Sequence, residues 1–150
     1  FTAIRHSNIY GPHDKFDLER SHVFGATVTK VMTSEDKVTI WGTGEEKRDL
    51  LYVDDLVDFV LLAIENQEDK YNLFNCGYGR AVTIKELVVK IVKASGKRIE
   101  IEYDLSQSTI QTSLTIDSSL AERKIGWSPK VGLEEGISKT IRWWQENIGS

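Results

Sequence analysis

Cys76 is the single cysteine in 150 residues, so no internal disulfide is possible. A lone thiol fits a reducing compartment, and the cytoplasm is the expected location. The 19 basic residues are scattered among 23 acidic ones for a net charge of −4. No basic stripe marks a nucleic-acid face, and no nucleic-acid partner is expected. No apolar run approaches the roughly 18 residues of a membrane span, and these residues contain no signal-peptide pattern. His6, His13 and His22 lack compact metal-ligand spacing, and no cysteine or acidic cluster joins them, so no metal site is expected. Repeats, low-complexity stretches and flexible linkers are missing too. Two further absences concern chemistry. No strand is followed by Gly-x-x-Gly-x-x-Gly, the turn that lets a dinucleotide pyrophosphate meet a helix N-terminus; Gly77-Tyr78-Gly79 lacks the third glycine. No tyrosine has a lysine four residues on, because Tyr10, Tyr52, Tyr71, Tyr78 and Tyr103 lead to Asp14, Leu56, Asn75, Val82 and Gln107. Dehydrogenase-type hydride chemistry is therefore incomplete within these residues.

What is present reads as a globular α/β unit. Hydrophobic residues make up 40% of the chain and charged residues 28%, with length enough for one core. The chain opens directly in an apolar, strand-like run, Phe1 to Arg5, and is expected to be a piece of something longer. Segment 6–21 is rich in turn residues and reads as a long loop. Apolar residues from Ser21 to Met32 fall near helical spacing. Val38 to Trp41 reads as a strand, Gly42-Thr43-Gly44 as a turn and Asp49 to Val53 as extended. Asp54 or Asp55 is expected to cap a helix reaching Asn66, with Leu56, Phe59, Val60, Ala63 and Ile64 on its buried face. A strand at Tyr71–Asn75 precedes a Thr83-x-x-Glu86 capping box and a helix that Gly96 stops. Ile99 to Tyr103 alternates as a half-buried strand. Residues 104–116 are irregular, Asp117 caps a short helix through Arg123, and Leu133 to Ile148 is a last helix burying Ile137, Ile141 and Trp144.

Three features carry possible chemistry. Arg5 to Pro12 is a strand exit of polar residues, where open α/β sheets place ligands, although ordinary turn chemistry explains it equally. Trp41-Gly42-Thr43-Gly44 followed by Arg48 combines a glycine turn that admits a ligand with a guanidinium suited to phosphate. The alternative there is a hairpin with Arg48 paired to Glu45 or Glu46. His22 begins a helix, where the dipole disfavours its charged form and an acid/base role is open beside a structural one. Cys76, at a strand end, reads as a small core residue.

These blocks occur together in an order that resembles the extended short-chain dehydrogenase/reductase family, which modifies nucleotide sugars. Arg5-x-x-Asn8-Ile9-Tyr10-Gly11-Pro12 is similar to the segment after that family's catalytic Tyr-x-x-x-Lys helix. Arg48-Asp49-x-x-Tyr52-Val53-Asp54-Asp55 is similar to its Arg-[Asp/Glu]-[Phe/Tyr]-x-[Tyr/His]-Val-x-Asp block. Gly126-Trp127-Ser128-Pro129 with Leu133 to Ile137 is similar to its C-terminal signature. Within the family, the stretch from Asn8 to Phe16 followed by Ser21-His22-Val23 is similar to the loop of the GDP-fucose synthases, the epimerase-reductase branch.

The resemblance implies an α/β fold that is the C-terminal, nucleotide-sugar-binding portion of such an enzyme. Its opening strand would be a late strand of a Rossmann sheet, residues 1–150 would form the substrate domain, and the dinucleotide-binding domain would be absent. It implies NAD or NADP as cofactor, held mainly by that other half, with His6 and Ser7 near the nicotinamide. It implies Asn8, Val23, Lys30, Trp41 and Arg48 as substrate contacts, Arg48 on the diphosphate, and His22 as acid/base in epimerisation. The full-length protein would be a homodimer acting on a nucleotide sugar. Another nucleotide-sugar epimerase or dehydratase, or a non-catalytic member, would use the same scaffold. One departure stands out: the family's proline and basic residue before the capping Asp are replaced by the run Ser108 to Ser113, with Gln111 near its middle. A second phosphate cation would then have to be Lys97 or Arg98.

Overall fold

A computed structural model of the chain describes residues 1–107, 109 and 112–149. Seven strands and five helices are assigned among them: β1 (Thr2–His6), β2 (Asn8–Tyr10), α1 (Val23–Thr33), β3 (Lys37–Trp41), β4 (Lys47–Tyr52), α2 (Val53–Asn66), β5 (Asn72–Cys76), β6 (Ala81–Thr83), α3 (Ile84–Ser95), β7 (Glu100–Asp104), α4 (Ser119–Ile125) and α5 (Leu133–Asn147). β1 pairs in parallel with β5, from Thr2 opposite Asn72 to His6 opposite Cys76. β3 pairs in parallel with β7, Val38 facing Ile101. β4 is the middle strand of the third sheet, parallel to β2 and antiparallel to β6. The α/β class agrees with expectation. No helix among the described residues is long and apolar enough to cross a membrane.

Strand β4 is buried on both sides and divides the interior. Leu50 and Tyr52 face a core shared with Tyr10, Phe24, Val28, Leu87, Ile137 and Trp144. Leu51, one residue out of phase, faces a second core of Phe59, Phe74, Cys76, Ile125 and Trp127. Side chains alternate across a strand, so one six-residue segment supplies both. Cys76 is fully buried, and burial pushes its thiol up to about 12, with Asp55 and Asp49 adding to the shift. It is a core residue, as expected.

The local signals behave unevenly. The capping box before α3 is complete: the Glu86 amide donates to Thr83 Oγ1 at 3.0 Å and the Thr83 amide to Glu86 Oε2 at 2.9 Å. Gly96 ends that helix in the left-handed region. The cap on α2 is different from expectation. Tyr52 occupies the N-cap position without a side-chain bond, and Asp55 turns inward to accept the Lys130 and Val131 amides at 2.9 and 3.1 Å. The buried stripe of α2 is Asp55, Phe59 and Ala63. Val60 and Ile64 lie on the adjacent stripe, and Ile64 is 75% exposed. Leu56 and Leu62 flank that stripe, partly buried against the second core, so the buried face is narrower than the apolar one. The loop expected over 6–21 contains β2, whose three residues are held by β4 rather than by their own pattern. At α4 the N-cap position is Ser118, though Asp117 Oδ1 still accepts the Ser119 amide at 2.9 Å. The hairpin alternative for Gly42 to Arg48 is overturned, since β3 and β4 belong to different sheets.

Candidate functional site

The Trp41 turn, the Arg48 strand and helix α1 meet around a cavity of about 610 Å³. Helix α1 turns one face outward to it: Val23, Ala26, Thr27 and Lys30 follow the 3–4 spacing of neighbours on a helix. Phe24, Val28 and Val31 fill the core behind them. Ile40 and Trp41 at the end of β3, with Ile84 at the start of α3, complete the apolar wall. Trp41 is 59% exposed, although Lys30 covers part of its ring.

Positive charge enters from two directions. Lys30 Nζ donates to the Thr39 carbonyl at 3.1 Å and lies 5.3 Å above the Trp41 ring. Burial of this lysine lowers its pKa. Arg48 Nη1 donates to the Lys47 carbonyl at 2.9 Å and to Thr112 Oγ1 at 2.7 Å. Among the described residues Arg48 makes no ion pair with Glu45 or Glu46. These contacts steady one edge of a guanidinium that also borders the cavity.

Glu46 and Thr109 close the cavity beside the turn, and neither was singled out as a site residue by the sequence. The Thr109 hydroxyl donates to Glu46 Oε1. Gly42 makes room for both. It has φ +71°, and a Cβ there would sit 2.7 Å from Thr109 and 3.2 Å from Glu46 Oε1.

His22 is the N-cap residue of α1, exposed and without a side-chain cap bond. Its neighbours Ser21 and Val23 line the cavity, whereas His22 itself is not among the lining residues. Asp14 lies nearby: burial raises its carboxyl pKa, while the Lys15 amide and His22 oppose that shift. Asp14 Oδ2 is buried without a partner among the described residues.

Of the expected contacts, Val23, Lys30, Trp41 and Arg48 line this one cavity. His6, Ser7 and Asn8 do not; His6 ends β1 opposite Cys76, Ser7 follows it and Asn8 opens β2. His6 Nδ1 is 2.7 Å from the Ser7 carbonyl, and the Ser7 amide donates to the Cys76 carbonyl at 2.9 Å. Ser7 Oγ is buried with no partner among the described residues. Asn8 Nδ2 donates to the Asp49 carbonyl at 3.0 Å. Asp49 is structural as well, accepting the Tyr78, Gly79 and Ile116 amides at 2.9, 3.1 and 2.9 Å. Neither substitute for the second phosphate cation reaches the cavity among the described residues. Lys97 is bound to the Met32 and Ser34 carbonyls at the end of α1, and Arg98 is exposed elsewhere. Ser108, Ile110 and Gln111 lie outside the described residues. No group of three potential metal ligands occurs among the described residues.

GDP-L-colitose synthase of Yersinia pseudotuberculosis is 38% identical over 140 residues, covering 91% of this chain and 45% of that protein. The probable GDP-L-fucose synthase 1 of Oryza sativa subsp. japonica is 35% identical over 146 residues, covering 95% and 44%. The structure of UDP-glucose 4-epimerase from Thermotoga maritima, solved with UDP-glucose, matches with a TM-score of 0.86 and 32% identity, over 98% of this chain and 46% of that one. The chain thus spans about half the length of the curated relatives it matches. Residues 1–77 match the NAD dependent epimerase/dehydratase family, and the chain belongs to that family.

Proposed function

We propose that the chain is the sugar-nucleotide-binding half of an NAD(P)-dependent nucleotide-sugar epimerase/reductase of the GDP-fucose synthase kind. The observation that carries this reading is the single cavity in which Trp41, Lys30 and Arg48 converge. An exposed indole stacks a base. Arg48 and Lys30 bring charge-assisted donors to a diphosphate. The sugar then extends toward Ser21 and Val23, between which His22 stands. The names of the relatives, GDP-L-colitose synthase and GDP-L-fucose synthase, favour a GDP-linked sugar.

His22 is the acid/base group in this reading. Epimerisation beside a carbonyl needs a proton removed from one face of the ring carbon and returned on the other. His22 is exposed between two residues that line the cavity, and its charge opposes the upward shift of the Asp14 carboxyl. The family's nicotinamide supplies hydride transfer when bound. At the end of β1, Ser7 offers a buried hydroxyl without a partner among the described residues, and His6 a ring beside it, suited to the edge of that ring system. The remaining dinucleotide seat belongs to a further domain that completes the sheet beyond β1. Two features support such a domain: β1 pairs only with β5 among the described residues, and the Val57, Val60, Leu61 and Ile64 row of α2 is exposed. The reading includes a cytoplasmic homodimer.

The test is an assay of the full-length protein against GDP-, UDP- and dTDP-linked keto sugars with NADH or NADPH. Turnover of one of these is expected, with solvent deuterium entering the sugar at the inverted carbon. His22→Asn should lower that incorporation by about 100-fold with little change in nucleotide affinity. No turnover across the panel, or exchange indifferent to His22→Asn, would overturn the reading.

A further inference from the structure

Glu46 is the one carboxylate in the cavity wall that is buried, at 5% exposure, and the reading above gives it no role. It precedes β4 on the same side as Arg48, two residues away, so both side chains turn into the cavity. Yet the two form no ion pair. Among the described residues only the Thr109 hydroxyl donates to the Glu46 carboxylate. An ionised carboxylate has room for about four hydrogen bonds and can only accept them. A carboxylate in the wall with acceptor capacity left over suits an occupant that brings donors.

The position of Glu46 says which part of the occupant that is. Its Oε1 lies against Gly42, the residue after the Trp41 ring, where a Cβ would come within 3.2 Å of it. A base stacked on Trp41 therefore turns an edge toward Glu46. Arg48 and Lys30, the groups suited to the diphosphate, are half-buried, whereas Glu46 is buried. Guanine presents N1–H and the exocyclic amine side by side, a pair of donors matched to the two oxygens of one carboxylate. Uracil and thymine present a single N–H between two carbonyls, whose lone pairs face the carboxylate unfavourably. Hypoxanthine keeps N1–H and lacks the amine.

We propose that Glu46, oriented by Thr109, reads the base of the nucleotide sugar and selects guanine. This specificity role rests on the nucleotide-sugar reading of the same cavity.

The experiment is calorimetric titration of the full-length protein with GDP, IDP, UDP and 2′,3′-dideoxy-GDP. Wild type should bind GDP at least about tenfold more tightly than IDP and UDP, as loss of a hydrogen bond to a charged group implies, while dideoxy-GDP stays close to GDP. Glu46→Gln exchanges one acceptor for a donor, and it should weaken GDP at least about tenfold and shrink the preference over UDP. The wild-type comparison of GDP with IDP needs no variant, so it decides the matter even where Glu46→Gln fails to fold. Equal affinity for GDP, IDP and UDP overturns the inference and leaves the nucleotide-sugar reading standing. A loss with dideoxy-GDP but not with IDP also overturns it, since the carboxylate would then be holding the ribose. No binding of any of the four overturns the nucleotide-sugar reading, and this inference with it.

Discussion

At the scale of single residues, Arg48 and Lys30 reach one cavity by different means. Lys30 extends from a helix, is shielded by Trp41 and is pulled toward its neutral form by burial. Arg48 is steadied along one edge by Thr112 and the Lys47 carbonyl, and its guanidinium presents a planar fork of donors. Arg48 is therefore the stronger claimant for the diphosphate. Arg48→Ala should raise KM for the sugar nucleotide about tenfold or more, with a smaller effect on kcat. Arg48→Lys should recover only part of the loss, because a point charge cannot reproduce the fork. An unchanged KM for Arg48→Ala would mean that the diphosphate is held elsewhere. Arg48, Trp41 and Lys30 are legible in the sequence because each stands in a motif beside a glycine turn or on a helical face. Glu46 is not. In Glu45-Glu46-Lys47-Arg48 four charges in succession read as a solvated surface. Only the strand period carried backward from Leu50 places Glu46 and Arg48 on one side, with Glu45 and Lys47 exposed on the other. Thr109 had no local signal, since its partner is 63 residues away.

At the scale of elements, sequence pattern and tertiary packing pull apart most clearly at α5. Gly136 lies within that helix, where alanine is the better helix former by about 1 kcal/mol. Propensity alone favours Gly136→Ala. Packing opposes it, because a Cβ at Gly136 would land on the Tyr10 hydroxyl and within 2.8 Å of its Cζ. Tyr10 is 2% exposed and wedged between Phe24 and Tyr52, with ring centroids 4.2 and 5.5 Å away, so it has nowhere to go. Overpacking of this kind costs about 1–3 kcal/mol and displaces α5 from β2. Gly136→Ala should therefore lower the urea midpoint of the protein at constant slope, by about 2 kcal/mol in stability. A rise in the midpoint would show that propensity wins. The same contest decides which elements could be read in advance. Helix α3 carries its own start and stop, Thr83 with Glu86 and then Gly96, and so needs no partner to be recognised. Strands β2 and β6 are three residues each and exist because β4 offers two open edges. On α2 the expected face holds at Leu56, Phe59 and Ala63 but not at Val60 and Ile64, because its apolar residues cover two adjacent rows and only the neighbours decide which row is buried.

At the scale of the whole molecule, the two hydrophobic cores are joined by β4 and by the carboxylate that follows Arg48. Asp49 is 1% exposed and gathers three amides, those of Tyr78 and Gly79 from the β5–β6 connection and that of Ile116 from the segment before α4. Asp55 does the same for Lys130 and Val131, while Trp127 Nε1 donates to its carbonyl at 2.9 Å. Loops from three distant parts of the chain are thus fixed to β4 and α2 by two side chains that sequence reading treats as part of a ligand motif and as a helix cap. Charge-assisted bonds to buried amides are strong, and deleting the acceptor leaves the donors unpaired. Asp49→Ala strands three amides at once, so it should cost about 3 kcal/mol or more. The loss should be far greater than for alanine in place of exposed Asp54, the neighbouring carboxylate of the same motif, which makes no comparable bonds among the described residues. Because Asp49 adjoins Arg48 and its carbonyl holds the Asn8 amide, loosening it also shifts the cavity wall. Denaturant unfolding of the full-length protein, read alongside nucleotide affinity, checks both effects. Stability within about 0.5 kcal/mol of wild type, the range of ordinary surface substitutions, would mean that water replaces the carboxylate at little cost and that the cores are tied together by packing alone.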